Sequence, residues 1–259
     1  MKRVIQLALM SVVILYFGVF TLTARENSPE PTPLPEPGKW ERLWLDRVQE
    51  FRAENNKLNE DEEYIIFLGD SLTQAYDLEK YFPGLPALNR GIVSDGVAPV
   101  PESPLPWRGV THRMKESLYD CQPSHLFFLI GANDVGRKSI PYEYWLGNYK
   151  YVIRQARKKF PEIKIILLTC SPTGTAYRKT EYLNKRLAKW NIMIKQCAEE
   201  ENCRLIDLHN LFADKNGLLP EEMTKDGLHF NDMGYAELTK KVKKILREDG
   251  IIEKRNKQK

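Results

Sequence analysis

The chain has 259 residues and a mass of 30.2 kDa, enough for one domain of ordinary to large size. It is 42% hydrophobic and 29% charged, a balance that excludes a fully disordered, collagenous or polytopic membrane protein. The formal net charge is +4, but residues 240–259 alone hold nine basic and three acidic residues. The rest of the chain is therefore slightly acidic. Such a charge argues against binding of nucleic acid through a basic surface.

The first predicted element is an uncharged segment at residues 4–24, preceded by Lys2 and Arg3. A helix of this length, rising ~1.5 Å per residue, reaches ~30 Å and would cross a bilayer. Its densest apolar part, residues 7–20, also suits the central region of a signal peptide cut after Ala24, so a signal peptide and a membrane anchor both stay open. The two basic residues favour a cytoplasmic N-terminus. We therefore expect the rest of the chain outside the cytoplasm, either secreted or tethered to the membrane.

A proline-rich linker follows at residues 25–39, with a proline at every second position of residues 29–37. Such prolines favour an extended spacer of ~3 Å per residue, although a disordered leader left after cleavage has the same composition. The sequence thus divides into four parts. They are a signal peptide or anchor at residues 1–24, the linker, a folded domain at 40–250 and a basic tail at 251–259.

Five short apolar runs predict buried strands in the folded domain. They cover residues 64–68, 87–89, 125–130, 163–169 and 204–208. Helical spacing of apolar residues separates them, most clearly at residues 40–51, 142–159, 182–200 and 235–247. Strands that are apolar on both faces and alternate with helices indicate a parallel sheet covered on both sides. The predicted fold class is therefore α/β, a three-layer α/β/α sandwich.

Polar residues follow these strands at their carboxyl ends, where parallel sheets bind their ligands. The motifs are Gly69-Asp70-Ser71-Leu72, Asn89-Arg90-Gly91, Gly131-Ala132-Asn133-Asp134 and, in a late loop, Asp226-Gly227-Leu228-His229.

Ser71 lies between a strand and a predicted helix, a place where its hydroxyl would be exposed. A serine attacks a carbonyl only with a base within hydrogen-bond reach, and His229 is the candidate. Asp226 precedes His229 by three residues, so one turn would bring its carboxylate to Nδ1 while Nε2 faces the serine. Taken alone, Ser71 would be a helix N-cap, and Asp226 with His229 a surface salt bridge. Together they indicate nucleophilic catalysis at an acyl group.

Acyl transfer also requires hydrogen-bond donors for the oxyanion of the tetrahedral intermediate. The candidates are the backbone amides of Ser71 and Gly91 and the side-chain amide of Asn133. Gly91 would also let the backbone approach a ligand closely, because it has no Cβ. The alternatives are that Gly91 is a turn glycine and Asn133 a loop-capping amide.

The four motifs, in this order, resemble those of the SGNH (GDSL) hydrolase family, and the resemblance covers residues 64–246. It implies a flavodoxin-like fold and an esterase or lipase that needs neither metal nor organic cofactor. It further implies a catalytic triad of Ser71, Asp226 and His229, and an oxyanion hole of Ser71, Gly91 and Asn133. Asp70 and Asp134 would shape turns rather than react. An α/β-hydrolase is disfavoured, because the motif around Ser71 lacks the second glycine of G-x-S-x-G.

A proline-rich loop between Gly91 and the third strand is longer than this resemblance leads us to expect. We hypothesise that it borders the substrate pocket, where Trp107 would stack on a sugar or line an acyl slot; packing of Trp107 on the core is the alternative. Arg90 would contact an anionic substrate or pair with an acid at the surface.

The remaining histidines and the cysteines are expected to have structural rather than catalytic roles. His112, His125 and His209 have no carboxylate at ligand spacing, so no metal site is expected. Cys197 and Cys203 flank a predicted helix-to-strand turn and would be able to form a disulfide in an oxidising compartment.

The sequence therefore predicts a serine esterase that hydrolyses carboxylic esters through an acyl-serine intermediate. Short-chain acyl esters of carbohydrate, above all acetyl esters, are the favoured substrates, so the expected partner is a small-molecule or polysaccharide ester. A lysophospholipase or lipase acting on acyl lipids, an acyltransferase, and a non-catalytic glycan-binding protein are the alternatives.

Overall fold

The computed structural model describes residues 36–101, 108–137 and 139–256. The predicted segment at residues 4–24, most of the linker, and Trp107 lie outside the described residues. Within the ranges described, no helix is both long enough and apolar enough to cross a membrane.

Five parallel strands form one sheet in the order β2-β1-β3-β4-β5. The strands are β1 (Tyr64–Gly69), β2 (Ala87–Gly91), β3 (Pro123–Leu129), β4 (Lys164–Leu168) and β5 (Arg204–Ile206). This order is that of flavodoxin-like sheets. All five predicted strands and the predicted α/β class are confirmed.

Helices connect the strands and cover both faces of the sheet. They are α1 (Lys39–Asn55), α2 (Ser71–Gln74), α3 (Leu78–Tyr81), α4 (Ala132–Gly136), α5 (Tyr142–Lys159), α6 (Thr180–Glu200), α7 (Leu208–Phe212), α8 (Asp232–Glu248) and α9 (Ile251–Asn256). Short 3₁₀ turns occur at Val110–His112 and Glu221–Met223, and a π turn at Lys115–Tyr119.

Alternate side chains of each strand enter two separate hydrophobic cores, because successive side chains of a strand point to opposite faces. On one face, Ile66 and Phe128 pack with Trp145 of α5 and Trp190 of α6. The other face packs against α2, α3, α7 and α8, and its rings include Phe67, which stacks on a neighbouring ring of β3 at 5.0 Å. Each fully buried side chain of this size contributes about 1.5–3 kcal/mol through the apolar area it removes from water. These two cores explain why β1, β3 and β4 carry apolar residues on both faces.

Helix α1 covers the β2 side of the sheet. Its Trp44, Val48 and Phe51, spaced four and three residues apart, form one buried stripe that contacts Ile92 just after β2. The apolar spacing from residue 40 onward thus predicted a genuine helix.

The structure describes the state of the cysteines and the start of the C-terminal segment. All four cysteines are free thiols, so the disulfide considered for Cys197 and Cys203 is not formed. The predicted tail at residues 251–259 begins inside helix α9, because Ile251 and Ile252 pack against the second core.

Candidate active site

A crevice at the carboxyl edge of the sheet brings two of the predicted motifs together. The chain leaves β1 toward β2 on one side and leaves β3 toward β4 on the other, so the adjacent ends of β1 and β3 separate into a crevice. Ser71, the first residue of α2, follows β1, and Asn133 in α4 follows β3. Both residues line the same cavity in this crevice.

His229 reaches the crevice from a loop 158 residues away in sequence. Its Nε2 lies 3.0 Å from the Ser71 Oγ, and its Nδ1 lies 2.7 Å from Oδ2 of Asp226. Because a carboxylate only accepts hydrogen bonds, Nδ1 carries the ring proton and donates a hydrogen bond to Asp226. Nε2 is then the acceptor for the Ser71 hydroxyl. The structure thus places the three residues in the geometry expected for a serine, its base and the carboxylate that orients the base.

Asp226 is held in place by its own turn. Its Oδ1 accepts the backbone amides of Leu228 at 3.0 Å and His229 at 2.8 Å. Burial raises the pKa of this carboxyl, but the hydrogen bonds from His229 and these amides outweigh burial and hold the pKa below its usual value. The carboxylate therefore stays charged and continues to accept the Nδ1 proton.

Thr224 stabilises this turn through its hydroxyl group. It was not identified from the sequence. Its hydroxyl donates to the His229 carbonyl at 2.8 Å and accepts the amides of Asp226 at 3.3 Å and Gly227 at 2.9 Å. Gly227 has φ +83°, a backbone conformation that favours glycine. A threonine two residues before an Asp-Gly pair is the turn signal that would have pointed to it.

The side-chain amide of Asn133 makes one strong and one weak hydrogen bond. Nδ2 donates to the carbonyl of Asp95 at 2.9 Å, which fixes the orientation of the amide. Its only other hydrogen bond to a described residue is a long one, 3.4 Å to Oδ2 of Asp70. Asn133 can therefore direct its second hydrogen toward an oxyanion formed at Ser71.

The backbone amide of Gly91 is not available as a donor, and this prediction is wrong. It donates instead to Oδ1 of Asn89 at 3.0 Å. The absence of a Cβ at Gly91 serves packing, since a Cβ there would lie 2.7 Å from the Cα of Gln74 in helix α2. Gly91 therefore lets helix α2 approach β2, and no ligand is needed to explain it.

The following turn contains a free amide at Ser94. The amides of Ile92, Val93 and Asp95 donate to protein oxygens, whereas that of Ser94 has no acceptor among the described residues. Ser94 has φ +59°, an uncommon conformation for a residue with a side chain. Its carbonyl accepts hydrogen bonds from the guanidinium groups of Arg108 and Arg137, which hold the turn in this conformation. Ser94 is the better candidate for the second backbone donor.

Buried carboxyl groups support the crevice from below. Asp70 begins helix α2 by accepting the amide of Leu72, and Asp134 accepts the amide of Val97. Burial raises the pKa of Asp70 and of Asp134 to about 7. No hydrogen bond joins either side chain to the hydroxyl of Ser71 or the ring of His229 among the described residues, which agrees with the turn-shaping role that the resemblance implied.

A third buried carboxyl, Asp95, is paired with a cation. Its Oδ2 accepts a 2.8 Å hydrogen bond from Arg113, and both side chains are fully buried. The same guanidinium donates to the carbonyls of Gly69 and Arg90, each at 2.9 Å. Arg113 therefore ties the ends of β1 and β2 to the Ser94 turn.

Arg90 does not reach the crevice, and the expectation that it contacts a substrate is corrected. Its side chain is fully buried against Phe51 of helix α1 and pairs with Glu54 at 2.5 Å. Strand β2 alternates its side chains, so Arg90 points toward α1. Trp107, for which a pocket role was predicted, lies outside the described residues.

The cavity beside Ser71 is small and mostly apolar. It has a volume of about 40 Å³. Its lining consists of Asp70, Ser71, Leu72, Ala132, Asn133, Thr173, Tyr177, Leu183, Leu187 and Leu228. The four residues from Thr173 to Leu187 come from the β4–α6 loop and helix α6, and were not predicted as site residues. In the sequence, the four-residue spacing of Leu183 and Leu187 is the same as that of helix residues buried in a hydrophobic core, so it does not indicate a binding site.

The other histidines lie away from this cavity. His125 is buried at the opposite end of β3, where its Nε2 lies 3.2 Å from Asp249. Within the described ranges, no group of three or more His, Cys, Asp or Glu side chains is placed to hold a metal ion.

Comparison with known proteins agrees with this geometry. The sequence matches the GDSL-like Lipase/Acylhydrolase family over residues 67–237. The chain belongs to this family. It is therefore an ester-hydrolysing enzyme, and the resemblance noted from the four motifs is confirmed.

Solved structures share its fold across most of the chain. A protein from Streptococcus pneumonia, described as a candidate platelet activating factor, is 25% identical, with a TM-score of 0.68 over 80% of this chain and 94% of its own. A GDSL-like lipase from Bacteroides thetaiotaomicron is 18% identical, with a TM-score of 0.64 over 78% and 98%. An acetyl xylan esterase is 22% identical, with a TM-score of 0.56 over 71% and 99%. No curated protein matches the sequence.

Proposed function

We propose that this GDSL-family enzyme is a serine esterase in which Ser71 is the nucleophile, His229 the base and Asp226 the group that orients the base. The observation that carries the proposal is the continuous hydrogen-bonded relay from the Ser71 hydroxyl through His229 to Asp226. The amides of Ser71 and Ser94 and the side chain of Asn133 supply the oxyanion donors.

The reaction follows from these positions. The Ser71 oxygen attacks the ester carbonyl carbon while its proton moves to Nε2 of His229. The tetrahedral intermediate collapses, the carbon–oxygen bond to the alcohol breaks, and His229 returns the proton to the leaving alcohol. Water then attacks the acyl-serine with His229 as base, which releases the carboxylic acid and restores the serine hydroxyl.

The proposed substrates are short acyl esters of carbohydrates. The cavity beside Ser71 has little volume, and the alcohol side of the site opens at His229, whose side chain is 34% exposed. A large polar alcohol would fit that open side. The acetyl xylan esterase among the structural neighbours shows that this fold accommodates such chemistry in another protein.

The proposed location is outside the cytoplasm, secreted or held by residues 4–24, with residues 25–39 as a spacer before the hydrolase domain at residues 40–250. Its support is the uncharged segment after Lys2 and Arg3. Fusing alkaline phosphatase after residue 39 in a bacterial host should give active phosphatase, whereas an inactive fusion would contradict export.

The catalytic proposal is tested with the full-length chain purified in mild detergent. It should hydrolyse p-nitrophenyl acetate and form one covalent adduct with a fluorophosphonate, which mass spectrometry should locate on Ser71. Ser71→Ala should lose both properties without a change in melting temperature. Ser124→Ala, which alters a half-buried serine at the opposite end of β3, should keep both. Adduct formation on Ser71→Ala at the parent rate would eliminate Ser71 as nucleophile.

A further inference from the structure

We infer that the cavity beside Ser71 is the acyl-binding pocket and that it limits substrates to acyl groups of two or three carbons. This inference rests on the proposed function, because it assumes that Ser71 forms the acyl-enzyme. It adds the identity of the pocket and the side chains that set its length.

The placement of the cavity decides which part of an ester would enter it. Ser71 and Asn133 both line it, so a carbonyl held between them has its carbon at the cavity entrance. The leaving alcohol must lie near Nε2 of His229, from which it receives its proton, and this side is open to solvent. The acyl substituent is therefore the group that projects into the cavity.

The chemistry of the walls fits an alkyl group. Leu183 and Leu187 of helix α6 line the cavity together with Leu228 of the His229 loop and Tyr177 of the β4–α6 loop. These apolar walls favour the removal of a methyl or ethyl group from water. Among the described residues, no cation lines the cavity to pair with a charged acyl chain, and the buried carboxyl of Asp70 would repel a negative one.

The volume sets the chain length. A space of about 40 Å³ holds roughly three water-sized groups, since each requires about 10–15 Å³ of such volume. An acetyl or propionyl substituent fits within this space. A hexanoyl chain would need several more groups of that size and would have to displace a wall.

The walls are held rigidly, so the pocket does not simply widen for a longer chain. Asn184 on helix α6 accepts the amide and the hydroxyl of Thr173 at 2.8 and 2.9 Å and donates to its carbonyl at 3.0 Å. Leu187 is only 2% exposed and belongs to the larger core. Leu183 lies one turn before it on the same helix face and is half-buried, so it is the wall residue that can be shortened with least loss of packing.

The test uses the full-length chain and p-nitrophenyl esters of acetate, butyrate and hexanoate. The parent should prefer acetate over hexanoate by at least about 100-fold in kcat/KM, since each misfitting methylene in an apolar pocket changes specificity by about 10–200-fold. Leu183→Ala should raise the hexanoate-to-acetate ratio by about tenfold or more. Leu58→Ala is the matched control, because Leu58 is also half-buried against the same core but lies outside this cavity, and it should keep the parent ratio.

Leu183→Phe provides a second measurement if Leu183→Ala does not fold. The larger ring should lower butyrate hydrolysis more than acetate hydrolysis. A parent enzyme that cleaves hexanoate as well as acetate, or a folded Leu183 variant with the parent ratio, would overturn the pocket assignment while Ser71-dependent hydrolysis persists. Absence of Ser71-dependent hydrolysis of every ester would instead refute the proposed function, and the pocket assignment with it.

Discussion

Replacing Asn133 with alanine tests the proposed oxyanion hole most directly. One Nδ2 hydrogen is committed to the Asp95 carbonyl at 2.9 Å, and the other makes only a long, 3.4 Å hydrogen bond to Asp70 that an oxyanion can replace. Loss of this second donor should lower kcat by about 10²–10³, equivalent to about 2.7–4 kcal/mol of transition-state stabilisation. KM should change little, because the donor acts most strongly on the charged intermediate.

The same substitution also removes a structural hydrogen bond, and this effect can be separated from catalysis. Loss of the bond to the Asp95 carbonyl should cost about 1 kcal/mol of stability and lower the melting temperature by about 2–4 °C. Asn191 offers a matched control: its side chain accepts the Cys170 amide at 2.8 Å and donates to the Cys170 carbonyl at 2.9 Å, outside the cavity.

Steady-state kinetics with p-nitrophenyl acetate and thermal melts of both variants complete the experiment. Asn191→Ala should lose at least as much stability as Asn133→Ala but keep kcat within a few-fold of the parent. The reasoning fails if Asn133→Ala retains kcat within tenfold of the parent, or if both variants lose the same fraction of kcat.

Three further predictions concern the supporting structure. Arg113→Met should destabilise the fold by about 3–5 kcal/mol in urea unfolding, because it leaves Asp95 buried without a counter-ion, and adding Asp95→Leu should recover much of that loss. Because the pKa of Asp70 is about 7 in the folded chain and near 3.8 when unfolded, the folded state binds more protons between these values. The free energy of unfolding should therefore fall as pH rises from about 4 to 7, and Asp70→Asn should flatten this slope in urea titrations; an unchanged slope would contradict the assignment. Gly91→Ala should lower stability by about 1–3 kcal/mol through contact with the backbone of α2, whereas Gly136→Ala, where a Cβ meets nothing within 4 Å, should melt like the parent.

The strands and long helices were predictable because their signal is local. A strand buried on both faces must be apolar at every position, and a helix such as Tyr142–Lys159 repeats its apolar residues with the helical period. The predicted bounds of that helix agree with the structure residue for residue.

The site was predictable only where residue type restricts chemistry. A serine after the first strand and an Asp-x-x-His turn are few enough in this chain to be paired by their roles, and the structure brings them within hydrogen-bond distance. Gly91 and Arg90 were assigned incorrectly because their signals are ambiguous. The sequence does not show whether a glycine leaves space for a ligand or for a neighbouring helix. Nor does it show whether an arginine side chain is buried or exposed.

The amino-acid sequence by itself determined the order of strands and helices, the reactive groups and the edge of the sheet at which they gather, because periodicity and side-chain chemistry are properties of neighbouring residues. Only the tertiary structure decided which amide remains unpaired, which charge is buried and how much volume lies beside Ser71. Those properties depend on contacts between residues far apart in the chain, such as Gly91 with helix α2 and Leu183 with the Ser71 crevice. A tertiary hydrogen bond requires its donor and its acceptor, and a cavity requires all of its walls. In these cases the partners lie on segments that are distant in the sequence.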